Sequence, residues 1–430
     1  MYRTTARPPI RAVVLSALSA TPPSHLKGNV PWKPVMGSDF KFVHCADLHL
    51  GSRFIGVSER DAEAGRRMRE AAFESLGRIV DLVITEEADA LVISGDIYDD
   101  CNALPSTRSR LCSELSRARV PVFISRGNHD SSTSWDDSIP YPENVHEFGT
   151  DPESITVHSK GGDFEVVGVS FGTPHEERNL ASMLRGRQGM FTVACVHCDV
   201  DSVSEGLSYA PCRLQDLQGR GVDYWALGHI HKRQVLSDHP YVVYPGNIQG
   251  RSFRETGPKG AYLVTVSSDI VRGLRFVPTQ TMMWHDISVD ITGRVLNDLV
   301  SDISARIRKG DLARITFVGS GSLDGMLRTD ADDVISVLET GTGCRIASWD
   351  VDTTPDFDVW SAGGGEDLSS KVVSAGRSLC TDRSAVLERI LSNSVLARHR
   401  DFFESLSDEE LSGIVEDAAR LVVAGMGVSR

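Results

Sequence analysis

The stretch ADALVISGDIYD, residues 88–99, is the strongest indication of the fold of the first half of this chain. It is a run of branched apolar residues that ends abruptly in Ser-Gly-Asp. A nearly continuous apolar run of this length is typical of a strand buried on both faces of a parallel sheet. Ligands of open α/β sheets gather outside the carboxyl ends of the strands. Asp96, directly after the run, is therefore expected at a functional edge.

Four further segments repeat this pattern of an apolar run followed by a polar cluster. They are FKFVHCADLH (40–49), VPVFISRGNHD (120–130), FTVACVHCD (191–199) and VDYWALGHIH (222–231). Between the first three runs lie two helix-length stretches, one with apolar residues at spacings of three and four from Met68 to Val83 and one from Pro105 to Arg119. Alternation of strand and helix predicts an α/β fold with a buried, partly parallel sheet covered by helices.

The polar clusters supply a set of metal-binding side chains. The candidate ligands are Asp47, His49, Asp96, Asn128, His197, His229 and His231. Any one of them alone would more often be structural, but five strand ends each supply a ligand type in a chain with only 13 histidines. A mixed oxygen and nitrogen set suits manganese, iron or zinc better than calcium.

Seven ligands are too many for one catalytic ion that keeps positions open. They fit two ions ~3.5–4 Å apart that share a carboxylate. Asp96 is the natural bridging residue because its neighbour Gly95 lets the backbone approach closely. His229 and His231 would share a face if they lay on a strand, so a pair gripping one ion is the first interpretation.

The sequence as a whole divides into four regions and a linker. Residues 1–38 hold six prolines, five basic residues and no acid, which indicates a disordered extension, a start codon placed too early or a transit peptide. Residues 39–285 carry the motifs, 286–355 resemble a small α+β unit, and 352–368 read as a Gly-, Asp- and Pro-rich linker. Residues 369–426 are helical, with an apolar stripe at Val386, Leu387, Ile390, Leu391 and Val395.

Charge and cysteine usage restrict the environment and the partners. The net charge of −14 excludes a protein that attracts nucleic acid through its global field, so a polyanionic substrate would need bound cations or a local basic patch. Candidates for that patch are Arg53, Arg126, Lys232 and Arg233. The eight scattered cysteines fit a reducing compartment, so we expect a cytoplasmic location. No apolar run approaches the ~20 residues of a membrane-spanning helix, and no membrane association is expected.

Taken together, the motifs resemble those of a known family. D-x-H (Asp47, His49), G-D (Gly95, Asp96), G-N-H-D (127–130), a lone His after a strand (His197) and G-H-x-H (228–231) resemble the signature of calcineurin-like metallophosphoesterases across residues 40–285. The resemblance implies a four-layer αββα sandwich, with a small α+β capping domain and a C-terminal helical segment. FKFVHCADLHLGSRF, YPGNIQGRSFRETGPKGAYLV and RFVPTQTMMW are similar to the SbcD-like DNA repair exonucleases, particularly their YhaO-type branch.

The resemblance also implies a role for each motif residue. Asp47, His49 and His231 would hold the first metal and Asn128, His197 and His229 the second, with Asp96 bridging both. The strand would therefore have to end or turn at the G-H-x-H motif, so that its two histidines straddle the pair of ions. His129 would face the scissile phosphate without binding metal, and Asp99 would orient that histidine. Arg251 and Arg254 would contact phosphate oxygens, unless they form an internal salt bridge with Glu255.

The function implied is that of a metal-dependent DNA exonuclease or endonuclease. Its cofactors would be two divalent ions, manganese first, with magnesium, iron and zinc as alternatives. Its partners would be DNA, a second copy of the chain, and an SMC-like coiled-coil ATPase of the SbcC type. The apolar stripe would either dock on that ATPase or pack on the body of the protein. Two other functions stay open: a phosphatase or phosphodiesterase acting on a small molecule or protein, and a non-catalytic scaffold that binds DNA ends.

Overall fold

A computed structural model describes residues 39–52, 62–99, 104–131, 139–201, 209–356, 359–362 and 367–425. The expectations for residues 1–38 and for Arg53 lie outside this part of the chain. The strands of the motif-bearing region are β1 (Phe40–Cys45), β2 (Ala90–Ser94), β3 (Val122–Ser125), β4 (Val145–Glu147), β5 (Glu153–Ser159), β6 (Gly162–Val169), β7 (Thr192–His197), β8 (Asp199–Val200), β9 (Pro211–Cys212), β10 (Tyr224–Gly228), β11 (Gln234–Asp238), β12 (Tyr241–Tyr244), β13 (Gly260–Ser267) and β14 (Ile270–Pro278). The helices of this region are α1 (Ala62–Thr85) and α2 (Pro105–Ala118).

These strands form two six-stranded sheets. The first has the order β14-β13-β1-β2-β3-β4. Strands β1 to β4 are parallel to one another, and β13 is antiparallel to both of its neighbours, β1 and β14. The second has the order β11-β12-β10-β7-β6-β5, with β12, β10, β7 and β6 parallel. The pairing of Ser94 with Ser125, and of Gly228 with His197, brings the carboxyl ends of neighbouring strands level. The motif residues therefore emerge at one edge of each sheet.

An aromatic core joins the two sheets face to face. The rings of Phe40 and Phe164 stack with centroids 3.9 Å apart, and Phe42 meets Tyr224 edge-on at 5.1 Å. These four rings belong to one buried cluster that contains residues of both sheets. Aromatic burial of this kind is a strong driving force for sheet-on-sheet packing. Hydrogen bonds also cross between the sheets, such as that from Ser94 Oγ to the carbonyl of Ala226 at 2.8 Å.

Helices cover the outer face of the first sheet. α1 presents Leu76, Ile79 and Val83 to it, and α2 presents Leu111 and Leu115. α2 begins with Pro105 at its first turn, where a missing backbone N–H is tolerated. The outer face of the second sheet is covered, among the described residues, by loops and by two short 3₁₀ helices at Ala181–Met183 and Leu214–Leu217. The mixed α/β sandwich is thus confirmed, with a thin fourth layer.

A smaller parallel sheet follows, with the order β15 (Trp284–Asp290), β16 (Leu312–Gly321), β17 (Arg345–Pro355). It is accompanied by α3 (Leu296–Arg306), α4 (Asp324–Thr329) and α5 (Ala331–Thr342). Its own core includes Val289, Leu299, Phe317 and Leu338. The prediction of a linker from residue 352 is wrong for its first four residues, because β17 pairs with β16 as far as Pro355.

The C-terminal segment is helical, as predicted. It comprises α6 (Leu368–Cys380), α7 (Arg383–Leu391), α8 (Arg400–Ser405) and α9 (Asp408–Gly425), with 3₁₀ turns at Val359–Ala362 and Leu396–His399. α6 packs on α9 through Val373, Ala419 and Val423. The apolar stripe divides: Val386 is buried, whereas Val395 lies beyond the end of α7 and is 62% exposed. Within the described residues, no helix is both long and apolar enough to cross a membrane.

Candidate dinuclear metal centre

Four of the motif residues adopt a left-handed backbone. Asp47, His49, Asp96 and His229 have φ angles of 53°, 45°, 50° and 101°. Non-glycine residues adopt this conformation rarely and at a cost, and such residues cluster at functional sites. At His229 the chain leaves β10, which ends at Gly228, and turns. His229 and His231 are therefore not successive same-face residues of a strand.

A first cluster brings Asp47, His49 and His231 together. One candidate ligand atom from each lies within 4.8 Å of those of the other two. Nε2 of His49 and Nε2 of His231 are 2.9 Å apart. The opposite nitrogen of each ring faces a carboxylate: Nδ1 of His231 lies 2.6 Å from Glu255 Oε1, and Nδ1 of His49 lies 3.2 Å from Asp99 Oδ1.

This arrangement fits a metal ion. A nitrogen that faces a carboxylate carries the ring proton, which leaves the other nitrogen with a lone pair. In the first cluster the two Nε2 atoms face each other across 2.9 Å, beside the Asp47 carboxylate. Burial lowers the pKa of His49, whereas, against the effect of burial, the Glu255 carboxylate raises the pKa of His231. A cation could take the place of the proton that the two rings otherwise share.

A second cluster surrounds His197. Its Nδ1 donates to the backbone carbonyl of Ser94 at 3.0 Å, so its Nε2 carries the lone pair. That Nε2 lies 3.1 Å from Asn128 Oδ1 and 3.5 Å from Asp96 Oδ2. The second cluster thus consists of acceptor atoms facing one another, which fits a cation. Asp47, Asp96 and His197 have candidate ligand atoms within 4.8 Å of one another, so the two clusters are contiguous.

Asp96 and His229 lie where the clusters meet. Burial alone would raise the pKa of Asp96, but the neighbouring His197, His49 and His129 lower it, so the carboxylate is ionised. The His229 backbone N–H donates to Asp47 Oδ1 at 3.0 Å, and its ring centroid lies 5.2 Å from that of His197. Burial, helped by His197, lowers the pKa of His229 to about 3 and leaves its ring unprotonated. The two G-H-x-H histidines therefore turn to different clusters, His231 beside His49 and His229 beside His197.

His129 stands beside the first cluster. Its Nδ1 donates to the backbone carbonyl of Asp99 at 2.7 Å, and its ring centroid is 5.0 Å from that of His49. Its backbone N–H donates to Asp96 Oδ1 at 3.0 Å. Asp99 thus contacts His129, in the position expected of an orienting residue, through its main-chain oxygen. The Asp99 carboxylate is occupied by His49 and by an ion pair with Arg251.

The predicted phosphate-binding arginines have different surroundings. The guanidinium of Arg126 is buried and forms an ion pair with Glu147, so the structure does not present it to a substrate. The guanidinium of Arg251 pairs with Asp99, and its backbone N–H donates to Glu255 Oε2 at 2.7 Å. The internal salt bridge that was the alternative thus exists, with Asp99 in place of Glu255 as the acid. Arg254 is exposed to solvent.

Three supporting residues were not predicted. Asp130 accepts hydrogen bonds from the backbone N–H groups of Ile97 (2.6 Å) and Gly127 (2.7 Å), which ties two ligand-bearing loops together. Burial and the nearby Asp96 raise the pKa of Asp130 to about 7. The ammonium of Lys259 donates to the carbonyl of His231 at 2.8 Å. Glu255 lies 24 residues from His231 in the sequence, so the sequence suggests only the nearby arginines as its partners.

Comparison with known proteins shows the family to which this chain belongs. A model of the calcineurin-like phosphoesterases matches residues 40–233. The uncharacterized metallophosphoesterase YhaO of Bacillus subtilis (strain 168) is 35% identical over 286 residues, which are 64% of this chain and 70% of that protein. The chain therefore belongs to the calcineurin-like phosphoesterase family, whose members use two divalent metal ions.

More distant similarities extend to repair proteins and to a phosphatase. The DNA double-strand break repair protein Mre11 of Aeropyrum pernix is 27% identical over 285 residues, which are 60% of this chain and 66% of that protein. Its counterpart in Sulfurisphaera tokodaii is 23% identical over 54% of this chain and 61% of its own length. Among solved structures, a dimetal phosphatase from Danio rerio matches 56% of this chain and 98% of its own at 14% identity, with a TM-score of 0.35.

Proposed function

We propose that this protein is a dinuclear-metal phosphodiesterase that hydrolyses DNA phosphodiester bonds. The observation that carries the proposal is the pair of contiguous clusters in which histidine ring nitrogens face one another and face carboxyl or amide oxygens. The similarity to Mre11 proteins, named for DNA double-strand break repair, favours DNA as the substrate. The nearer similarity to YhaO supports a phosphoesterase without naming a substrate.

The two clusters suggest how the ions would be shared. Asp47, His49 and His231 would hold one ion, and Asn128, His197 and His229 the other. Asp96 would bridge, since its carboxylate lies 3.8 Å from His49 Nε2 and 3.5 Å from His197 Nε2. Manganese is the proposed metal, because a mixed set of oxygen and nitrogen donors suits it.

Chemistry at this site would combine the ions with one free imidazole. When bound, two divalent ions neutralise the non-bridging phosphate oxygens and make hydroxide available near neutral pH. His129 would meet the developing charge on the leaving oxygen and give it a proton. With Nδ1 held by the Asp99 carbonyl, Nε2 is the nitrogen that remains for this transfer. The Asp99 carbonyl fixes the ring orientation and therefore the direction of that transfer.

The charge distribution supports a role for a partner in DNA affinity. Of the arginines proposed to contact phosphate, Arg126 and Arg251 are paired with acids, which leaves Arg254 exposed. Lys232 and Arg233 are exposed near the site, although Arg233 lies over the ring of Phe276. We therefore propose that the nuclease works in the cytoplasm as a homodimer with an SMC-like coiled-coil ATPase. The half-buried Leu387, Ile390 and Leu391 of α7 and the exposed Val395 would provide its docking surface.

A single assay separates this function from its alternatives. End-labelled duplex and single-stranded DNA would be incubated with Mn²⁺, with and without EDTA, beside bis-p-nitrophenyl phosphate. A DNA nuclease cleaves the labelled strands only with metal. Turnover of the small ester with intact DNA would instead indicate a small-molecule phosphodiesterase. Metal-independent DNA binding with no hydrolysis of either substrate would indicate a scaffold.

A further inference from the structure

The segment GNIQGRSFRE, Gly246–Glu255, is anchored through its middle residues to the start of the small sheet. Gln249 Nε2 donates to the carbonyl of Met282 at 2.6 Å, and Trp284 Nε1 donates to the carbonyl of Gly250 at 2.7 Å. The ring of Phe253 meets that of Trp284 edge-on at 4.8 Å. A Cβ on Gly250 would lie 2.9 Å from the Trp284 ring, so the close approach requires glycine. The middle of the segment therefore has a fixed position.

The same segment reaches the first cluster through hydrogen bonds. Glu255 holds Nδ1 of His231 with one carboxylate oxygen. Its other oxygen accepts from Asn247 Nδ2 at 2.8 Å and from the backbone N–H of Arg251 at 2.7 Å. These three hydrogen bonds fix the carboxylate behind the imidazole.

Arg251 links the carboxylates behind both histidines of this cluster. Its guanidinium pairs with Asp99 Oδ1, the atom 3.2 Å from Nδ1 of His49, while its backbone holds Glu255. The guanidinium is therefore engaged inside the protein. Arg251 thus contacts, through its side chain and its backbone, the two carboxylates beside the histidines of the first cluster.

The two clusters differ in what stands behind their histidines. Nδ1 of His231 is hydrogen-bonded to a carboxylate and Nδ1 of His49 lies 3.2 Å from one, whereas His197 has the neutral carbonyl of Ser94. A carboxylate fixes the ring tautomer and makes the other nitrogen a stronger donor, more so than a carbonyl does. Asn128 adds only an uncharged amide beside His197, while Asp47 lies within 4.8 Å of candidate ligand atoms in both clusters. The carboxylates beside Nδ1 of the histidines are therefore the difference that favours a cation in the first cluster.

We propose that Arg251 and Glu255 are positioning residues that make the Asp47–His49–His231 cluster the tighter of the two metal sites and the first to fill. This proposal rests on the proposed function, since it assumes that two divalent ions bind. Under this proposal the 246–255 segment supports the metal ligands, a role that it would not have if Arg251 only contacted DNA. A phosphate contact would affect DNA binding alone, whereas a positioning residue affects metal affinity in the absence of any substrate.

The test measures Mn²⁺ binding by isothermal titration calorimetry at one fixed pH near neutral. Asn128→Ala removes a second-cluster donor and serves as a background with one remaining ion. In that background Glu255→Gln keeps the shape of the side chain and removes its charge. We expect this substitution to lower the affinity for the remaining Mn²⁺ ion by about 10–100-fold, the usual loss for a residue behind a metal ligand. Arg251→Ala, which keeps the backbone bond to Glu255, should weaken the ion in the same direction.

Two matched controls accompany these variants. Glu153→Gln removes the carboxylate from another histidine pair, His146 Nε2–Glu153 Oε2 at 3.0 Å, away from the metal residues. Arg254→Ala makes the same charge change as Arg251→Ala three residues along the chain. Both should leave Mn²⁺ affinity unchanged. Thermal unfolding in EDTA shows whether Glu255→Gln folds, and Arg251→Ala provides the result if it does not.

The outcomes separate the two proposals. Wild-type protein that binds fewer than two ions contradicts the proposed function. Wild-type protein that binds two ions, with unchanged affinity in Glu255→Gln and Arg251→Ala, overturns the positioning role alone. A loss of DNA affinity in Arg251→Ala without any loss of metal affinity or of bis-p-nitrophenyl phosphate hydrolysis would identify a phosphate contact and also overturn it.

Discussion

Nδ1 of His129 donates to the main-chain carbonyl of Asp99 across 2.7 Å, while the carboxylate of the same aspartate faces His49 and Arg251. One residue thus serves two histidines through two different groups. The orientation of His129 depends on the path of the backbone at residue 99. The charge of Asp99 acts instead on the metal cluster. Substitutions at Asp99 should therefore report on metal affinity more than on proton transfer.

His129→Ala should leave both metal ions bound and reduce DNA cleavage by about 10²–10⁴-fold, the usual contribution of a positioned acid or base. The loss should be smaller with bis-p-nitrophenyl phosphate, because p-nitrophenolate leaves readily without a proton. Metal content by mass spectrometry and initial rates on both substrates test this. His239→Ala, at an exposed histidine of the same protein, is the control. Equal losses on the two substrates would argue against a proton donor.

Asp96→Ala should lose both ions, because its carboxylate faces His49 on one side and His197 on the other. Asn128→Ala should keep one, since the Asn128 amide oxygen faces His197 in the second cluster. The ratio of bound manganese to protein after dialysis distinguishes the two variants. Two ions retained by Asp96→Ala would disprove the bridging role.

Gly95→Ala should weaken the second cluster. Gly95 has a φ of 89°, and a Cβ there would lie 2.2 Å from Nδ1 of His197. Gly189→Ala is the matched control, because Gly189 has a φ of 79° and open space around its Cβ position. The control should cost about 1–2 kcal/mol of stability from left-handed strain alone. Gly95→Ala should cost more and lose one ion, as measured by urea unfolding and metal analysis.

His44 should make the protein acid-sensitive. The imidazole is fully buried between the sheets, 3.1 Å from the Tyr224 hydroxyl, and burial lowers its pKa from 6.5 to about 3. The unfolded chain therefore binds a proton between pH 6.5 and pH 3 that the folded chain does not. The contribution of His44 to the free energy of unfolding is complete above about pH 6.5 and is lost as the pH falls towards 3.

The expected loss is on the order of 5 kcal/mol, at about 1.4 kcal/mol per pKa unit. His44→Gln should flatten the dependence of unfolding free energy on pH in this range, measured with EDTA present. His158→Gln, at an exposed histidine, should not change the slope. Identical slopes in wild type and His44→Gln would contradict the assignment.

Much of the site was predictable because each motif follows a recognisable strand. β1, β2, β3, β7 and β10 all end where the apolar runs end, and the ligand types follow directly. The strand pair β5–β6 was not predicted, because half-exposed residues such as those of β5 give no continuous apolar run. The same-face interpretation of the two G-H-x-H histidines failed because β10 ends at Gly228.

Contacts between distant residues were the part that the sequence could not provide. Glu255 reaches His231, and Arg251 reaches Asp99 from 152 residues away. Nothing in a pattern of residue types distinguishes a guanidinium that faces solvent from one that pairs with a buried acid. Likewise, the sequence can suggest that Asp99 supports His129, but the choice between carbonyl and carboxylate depends on the backbone path.

The left-handed conformations of Asp47, His49, Asp96 and His229 have a consequence for dynamics. Each is a backbone state that costs of order 1–3 kcal/mol and persists only where its surroundings hold it. Without metal, the loops that carry these residues should therefore open locally more often than the strands that precede them. Ion binding should close that route, and amide hydrogen exchange in these loops should slow on loading while exchange in the aromatic core between the sheets stays the same.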